Sequence, residues 1–143
     1  MIRKTNNSAQ EIDNIMKIWL SSTINAHPFV SKEYWQRNYN IVKENYIPLS
    51  DTYVYIENER VLGFISILND DFIGAVFVDI DYQGKGIGSK LIKYVSDIYE
   101  KLSLAVYKDN IKAVNFYKNI GFEILSEQPN EETHEIEYLM EKN

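Results

Sequence analysis

Three of the six glycines in this 143-residue chain fall within five residues, in the segment Gln83-Gly84-Lys85-Gly86-Ile87-Gly88. The segment follows a β-rich run and opens an amphipathic helix. Glycine permits positive φ and lets a ligand approach the backbone closely, and the free N–H groups of a helix N-terminus attract phosphates. A plain strand-to-helix turn needs one glycine and rarely three. We therefore predict that this segment binds a phosphate or pyrophosphate.

Two common phosphate-binding loops do not fit the segment. A Walker A loop needs Ser or Thr directly after its Gly-Lys pair, whereas Gly86 follows Lys85. The dinucleotide fingerprint needs a third glycine where Ser89 stands, at the start of a parallel βαβ unit. Here the preceding strand ends a meander, so neither loop is predicted.

Periodicity and capping signals predict one domain over residues 1–143 with the element order β-α-α-β-β-β-α-β-α-β-β. The fold class is α/β: a mixed, mostly antiparallel central sheet flanked by helices, in which residues 72–107 form a right-handed parallel crossover. Ser8, Ser31 and Asn110 are the predicted N-caps. The predicted strands span 1–4, 52–57, 61–68, 72–80, 104–107, 122–126 and 136–140; the helices span 8–24, 31–45, the glycine segment to Leu102, and 110–121.

Composition limits the classes of function. Apolar residues make up 45% of the chain, and 11 Tyr, 6 Phe and 2 Trp can fill a core, which argues against disorder. A net charge of −6 without a basic stripe argues against nucleic-acid binding; it is compatible with simple solubility or with attraction of cationic amines. The chain has no cysteine, no signal peptide and no apolar run of membrane-spanning length, so we expect a cytoplasmic protein that does not bind a membrane.

Two motifs carry a family resemblance. The run Gln83-x-x-Gly86-x-Gly88 opening a helix, and the later run Asn110-x-x-Ala113-x-x-Phe116-Tyr117 followed by Gly121-Phe122, together resemble the marked regions of the GCN5-related N-acetyltransferase (GNAT) superfamily. The resemblance implies the GNAT acyl-CoA N-acyltransferase fold and acetyl-CoA as co-substrate. The segments 26–29, 34–35 and 137–140 are similar to those of small bacterial acetyltransferases in this superfamily.

The resemblance also implies a separate role for each group of residues. The pyrophosphate lies on backbone amides of residues 84–89, the pantetheine arm pairs with residues 76–78, and Asn110 meets the coenzyme in addition to capping a helix. Tyr117 protonates the departing thiolate, unless it is only a packed aromatic of its helix, and Lys85 is either a phosphate contact or a solvated charge. The implied coenzyme-binding residues are Val76, Phe77, Val78, Gln83, Gly84, Lys85, Gly86, Ile87, Gly88, Ser89 and Asn110.

The general base is not marked by a motif. An alkylamine has a pKa of about 10.4, so a base or proton channel is needed at neutral pH. The positions at which family members carry a catalytic Glu are occupied here by Phe72 and Ala105. His27 is the candidate base, with a half-exposed loop histidine or a base acting through ordered water as alternatives, whereas His134 is expected on a solvated turn. The two histidines lack the spacing of metal ligands, so no metal site is predicted.

We thus predict an N-acetyltransferase that moves the acetyl group of acetyl-CoA to a primary amine by direct attack in a ternary complex, with Tyr117 as general acid. The acceptor is a small-molecule amine or a protein lysine, and the protein is a monomer or a homodimer. The alternative is a non-catalytic acyl-CoA-binding sensor on the same fold. A small α/β protein that binds another ligand is the remaining possibility.

Overall fold

The computed structural model describes all residues from 1 to 143 and is built on one seven-stranded sheet. Four α-helices cover its two faces: α1 (Ala9–Ala26), α2 (Lys32–Ile41), α3 (Ile87–Ser96) and α4 (Ile111–Ile120). A π-helical turn, Val42–Tyr46, continues α2. The strands are β1 (Ile2–Lys4), β2 (Asp51–Glu57), β3 (Arg60–Leu68), β4 (Phe72–Val78), β5 (Leu102–Tyr107), β6 (Glu123–Pro129) and β7 (Ile136–Lys142).

The strands lie in the order β1-β2-β3-β4-β5-β7-β6, and every neighbouring pair is antiparallel except β4 and β5. The predicted mixed, mostly antiparallel sheet is therefore confirmed, as is the parallel crossover from β4 through α3 to β5. Asn58 and Glu59, with φ of 52° and 64°, form the tight turn between β2 and β3. This left-handed geometry matches the twist of a hairpin.

The parallel pair is short, and this produces the main cleft of the molecule. β4 and β5 pair only at Phe72 with Ser103 and at Ile73 with Leu104. Beyond these residues β4 runs on to Val78, paired only with β3 on its other side, while β5 pairs only with β7. The sheet is thus split between two adjacent strands, with backbone groups of β4 left without a strand partner on the cleft side.

Two apolar clusters fill the two faces of the sheet. Helices α3 and α4 pack over one face, and α1 and α2 pack over the other. The fully buried side chains at their centres are Ile65, Leu91, Ile92, Val95 and Met140 on the first face, and Ile15, Met16, Val54 and Phe64 on the second.

Local signals set the helix ends. The side-chain oxygens of Ser8, Ser31 and Asn110 each accept a hydrogen bond from the backbone N–H three residues on, so all three predicted N-caps are confirmed. Gly86 precedes α3 with a φ of 83°, and Gly121 ends α4 with a φ of 117°. These left-handed positions favour glycine because it lacks a Cβ.

The predicted extent of α3 is wrong. The helix ends at Ser96, and the Val95 carbonyl accepts hydrogen bonds from the N–H groups of Ile98 and Tyr99 as the chain turns. Leu102, predicted for the apolar face of this helix, opens β5 instead and is only 2% exposed. Helical periodicity continues past the true end because Tyr99 in the turn is partly buried and Leu102 in the next strand is fully buried. Ile98, predicted for the same apolar face, is instead 50% exposed. β4 similarly ends at Val78 rather than Ile80.

None of the helices is both long and apolar enough to cross a bilayer.

Candidate active site

The cleft between β4 and β5 leads into a cavity of about 560 Å³. Residues of both strands line it, together with α1, α2, α4 and the glycine segment. Most of the lining is hydrophobic, with a few polar groups among the apolar residues, which is the usual composition of a small-molecule site.

Most of the residues singled out from the sequence meet at this cavity. Nine of them line it: His27, Val76, Phe77, Val78, Gln83, Gly84, Gly88, Asn110 and Tyr117. Lys85, Gly86, Ile87 and Ser89 do not line the cavity. The Ile87 side chain is only 4% exposed and packs in the core, so that it can offer a ligand only its backbone.

The glycine segment presents open backbone beside the N-terminus of α3. Gly84 and Gly86 have φ of 81° and 83°, and no heavy atom would lie within 4 Å of a Cβ at either position. The Gln83 Nε2 donates to the Val78 carbonyl at 3.1 Å, which ties the end of β4 to the segment. The Ser22 hydroxyl donates to the same carbonyl at 2.9 Å, so α1 is held there too.

Two cations lie beside the glycine segment. Lys85 Nζ and Arg60 Cζ each lie 5.3 Å from the centre of the Tyr82 ring. The Arg60 guanidinium also lies 3.7 Å from a carboxylate oxygen of Asp79. Stacking on Tyr82 therefore keeps an exposed positive charge next to the N-terminus of α3.

Tyr117 lies on α4 with its phenol at the cavity. The residue is 9% exposed, and its ring packs against Phe116 and Phe122 at centroid distances of 5.3 and 5.6 Å. Its hydroxyl forms no hydrogen bond within the protein. Every fully buried polar side-chain atom except Trp35 Nε1 has a hydrogen-bond partner, so the Tyr117 oxygen is not among the fully buried atoms. The Tyr117 oxygen is therefore accessible from the cavity. Burial raises the pKa of the phenol, so it remains protonated at neutral pH.

His27 is the C-cap of α1 and is 8% exposed. Its Nδ1 lies 2.7 Å from the carbonyl oxygen and 3.1 Å from the hydroxyl oxygen of Thr23, and its Nε2 lies 3.4 Å from Nδ2 of Asn110. Burial lowers the pKa of His27, although the Thr23 carbonyl acts in the opposite direction. The interpretation of His27 as a half-exposed loop residue is thus wrong, whereas His134 is exposed as expected.

Aromatic rings surround His27. Its ring centre lies 5.2 Å from that of Trp35, 5.1 Å from Tyr107 and 5.7 Å from Phe29. Trp35 and Tyr107 line the cavity themselves. Tyr34 packs edge-on against Trp35 and donates from its hydroxyl to Glu132 at 2.6 Å, which links α2 to the loop between β6 and β7.

The sequence motifs missed several cavity residues. Thr23 lies one helical turn before His27, and this spacing is the signal that could have identified it. Tyr107 and Glu137 face each other in the β5–β7 register, which requires the strand pairing to be known. Glu137 is the single carboxylate residue in the lining, whereas Ala105, at a family glutamate position, brings no charge.

Comparison with known proteins identifies the family of this chain. Residues 12–122 match the family model described as the Acetyltransferase (GNAT) family. The peptidyl-lysine N-acetyltransferase YiaC of Escherichia coli K12 is 35% identical over 140 residues, which cover 98% of this chain and 94% of that protein.

Solved structures show the same fold. The solution structure of apo YjaB from Escherichia coli aligns with a TM-score of 0.84 at 24% identity, covering 99% of this chain and 95% of that one. The PaiA N-acetyltransferase of Thermoplasma acidophilum, crystallised with coenzyme A, aligns with a TM-score of 0.79 at 17% identity, covering 99% and 98%. The chain therefore belongs to the GNAT family, and it is an acetyl-CoA-dependent N-acetyltransferase, as its two motifs predicted.

Proposed function

We propose that this enzyme transfers the acetyl group of acetyl-CoA directly to the ε-amino group of a lysine in a polypeptide. The observation that carries the proposal is that one cavity of about 560 Å³ is lined by the glycine segment, His27 and Tyr117. The acceptor class is taken from YiaC, which is named a peptidyl-lysine N-acetyltransferase and matches nearly the whole chain.

The residues present fit the coenzyme. Open backbone at Gly84 and Gly86 and the N-terminus of α3 would hold the pyrophosphate, because unpaired N–H groups and the helix dipole favour an anion there. The part of β4 from Val76 to Val78 lacks a strand partner on the cleft side and would pair with the amides of the pantetheine arm. When bound, acetyl-CoA supplies an acetyl thioester that a neutral amine can attack.

His27 acts as the base that makes the amine neutral. A lysine ammonium with a pKa of about 10.4 is almost fully protonated at pH 7, so the attacking nitrogen must lose a proton. Burial lowers the pKa of His27, which leaves the ring uncharged and able to accept that proton at neutral pH. Its position at the C-terminus of α1 then stabilises the imidazolium, since the negative end of the helix dipole lies there.

Tyr117 acts as the acid that protonates the leaving thiolate. Burial raises the pKa of its phenol, and its hydroxyl has no protein partner competing for the proton. A thiolate with a pKa of about 8.5 is basic enough to take a proton from a suitably placed phenol. The amine thus loses its proton to His27, and the thiolate gains its proton from Tyr117.

Transfer is direct, in a complex that holds both substrates. The chain has no cysteine that could form an acyl-enzyme, and both His27 and Tyr117 line the same cavity. The binding energy that holds the amine and the thioester in one site offsets the entropy that their encounter in solution would cost.

A peptide assay tests this function. The protein is incubated with acetyl-CoA and a peptide that has a blocked N-terminus and a single lysine; released thiol and peptide mass are followed. We expect one acetyl group on the lysine and none on a matched peptide with arginine, whose guanidinium stays protonated. Reaction with spermidine or an alkylamine but not with the peptide would refute the polypeptide acceptor. Failure with every amine would refute the whole proposal.

A further inference from the structure

The two ring nitrogens of His27 have partners that fix where its proton lies. Nδ1 is 2.7 Å from the Thr23 carbonyl oxygen, and a carbonyl can only accept a hydrogen bond. In the neutral ring Nδ1 must therefore carry the hydrogen and donate it to Thr23. The Thr23 hydroxyl, 3.1 Å away, is a second acceptor for the same N–H.

The other ring nitrogen leads to the same tautomer independently. The Oδ1 of Asn110 accepts from the Ala113 N–H at 3.3 Å, because Asn110 caps α4. This contact orients the amide so that its NH₂ group faces His27, with Nδ2 at 3.4 Å from Nε2. An amide NH₂ can only donate, so Nε2 must present its lone pair.

We infer that Asn110 is a positioning residue for His27: in the free enzyme its capped amide donates to the single lone pair of Nε2 and, with the Thr23 carbonyl, holds the imidazole as the neutral Nδ1–H tautomer. The acceptor amine must take the place of the Asn110 donor to reach that lone pair. This inference rests on the proposed function, in which His27 accepts the amine proton. The N-cap of α4 thereby determines the state of the base, although the two residues are 83 positions apart in the chain.

The other residues packed against His27 form no hydrogen bond to its ring. Phe29, Trp35 of α2 and Tyr107 of β5 pack around the ring, and of these only Tyr107 titrates. Burial raises the pKa of Tyr107, so its phenol is neutral at neutral pH.

Three carboxylates act on Tyr107. Glu132 and Glu135 raise the pKa of Tyr107 electrostatically, and Glu137 does so while lining the same cavity. None of the three hydrogen-bonds to His27, whose side-chain partners are Thr23 and Asn110. The donor from Asn110 favours the neutral ring, since a hydrogen bond to the neutral form disfavours the charged one.

Long-range ¹H–¹⁵N spectra of the free enzyme test the inference without turnover. The chain has only two histidines, so His134→Gln assigns the signals. In the wild type at neutral pH we expect His27 with a protonated Nδ1 and an unprotonated Nε2. A protonated Nε2 would overturn the inference directly.

Two variants at Asn110 keep the helix cap and change the partner of Nε2. Serine and aspartate are both good N-caps, so α4 is retained, and an unchanged circular dichroism spectrum checks this. Asn110→Ser removes the donor, and Asn110→Asp replaces it with a carboxylate. We expect the midpoint of the His27 NMR titration to rise in the order wild type, Ser, Asp, by about one pH unit or more for Asp.

The pH profile of kcat/KM should move with the NMR midpoint in each variant. An Asn110→Ser titration that coincides with the wild type would overturn the inference, because the donor would then have no effect on the ring. A different result would refute His27 as the base. If His27→Gln keeps full activity while the wild-type spectra are as expected, Asn110 orients a histidine that does not act as the base. The inference about the reaction is then refuted as well.

Discussion

Gly88 and Phe116 meet where α3 and α4 flank the cavity, and a Cβ at Gly88 would lie 3.3 Å from Cζ of Phe116. Both residues line the cavity, one in each of the two family motifs. The distance is shorter than an ordinary carbon contact, so any larger residue at position 88 must displace the Phe116 ring. The two motifs are thus coupled by packing as well as by lining a common cavity.

Gly88→Ala should weaken acetyl-CoA binding with little change in stability. Alanine gains about 1 kcal/mol of helix propensity over glycine, which offsets part of the steric cost. The displaced Phe116 ring, however, changes the cavity wall, and we expect the Kd for acetyl-CoA to rise about threefold to tenfold. Calorimetric titration measures this. The double variant Gly88→Ala with Phe116→Leu should recover most of the affinity; no recovery would show that the contact is not the cause.

Gly86→Glu should abolish acetyl-CoA binding. A carboxylate would lie at the N-cap of α3, where the proposed pyrophosphate site is, and repel the ligand. Gly86→Ala is the matched control: it carries the same left-handed strain, about 1–2 kcal/mol, without the charge.

Thermal shift distinguishes the two variants at position 86. Acetyl-CoA at 100 times its Kd stabilises a protein by about 2.7 kcal/mol, a rise in Tm on the order of 5–15 °C for this size. We expect that rise in the wild type and in Gly86→Ala, measured from its own lower Tm, and none in Gly86→Glu. An equal rise in all three proteins would refute the placement of the pyrophosphate.

His27 should make the folded state less stable in mild acid. Burial lowers its pKa below the value of about 6.5 expected in the unfolded chain. Well above pH 6.5 both states are neutral and the residue adds no pH dependence. As the pH falls below 6.5 the unfolded chain takes up the proton first, and folding becomes less favourable.

Urea unfolding at pH 7.5 and 5.5 measures the effect of His27. The wild type should lose more free energy of unfolding than His27→Gln over this interval. His134→Gln, at an exposed position, is the control and should behave as the wild type does. A wild-type loss equal to that of His27→Gln would mean that burial does not disfavour the imidazolium.

Glu11 acts in a different pH window, at the start of α1. Its carboxylate accepts two hydrogen bonds from Arg3, at 3.0 and 2.8 Å, and others from Thr5 and the Asn6 N–H. Arg3 above all lowers the pKa of Glu11. The resulting stabilisation is present above the unfolded-state pKa of about 4.3 and is lost as the pH falls through the lower folded-state value.

Glu11→Gln should therefore lower the free energy of unfolding at pH 7 and flatten its dependence on pH below about 4.5. Asp13→Asn is the control on the same helix, since Asp13 is an exposed residue paired with Lys43 at 3.1 Å. Chemical unfolding across pH 3–7 compares the three proteins. Equal pH dependence in wild type and Glu11→Gln would contradict the lowered pKa of Glu11.

Local signals predicted the parts of this fold that are encoded locally. The caps at Ser8, Ser31 and Asn110 and the glycine segment each depend on residues within one turn of the chain, and all formed as expected. The end of α3 was missed because burial of Leu102 in β5 looks the same in the sequence as burial on a helix.

The geometry of the site could not be predicted in the same way. The cleft exists because β4 and β5 stop pairing after two residues, which the pairing register determines and the motifs do not state. The burial of His27 and its contact with Asn110 join residues far apart in sequence. The motifs therefore predicted which residues line the cavity better than what each residue contacts there.

In the proposed reaction Tyr117 protonates the leaving thiolate. Tyr117→Phe removes only the phenolic hydroxyl, and Tyr94→Phe, on α3 outside the cavity, is the matched control. The decisive measurement is kcat at saturating acetyl-CoA and lysine peptide, with the Kd for acetyl-CoA determined on the same protein. We predict that Tyr117→Phe lowers kcat by roughly 10²–10⁴-fold with its Kd nearly unchanged, while Tyr94→Phe matches the wild type. A Tyr117→Phe enzyme with wild-type kcat would contradict the account.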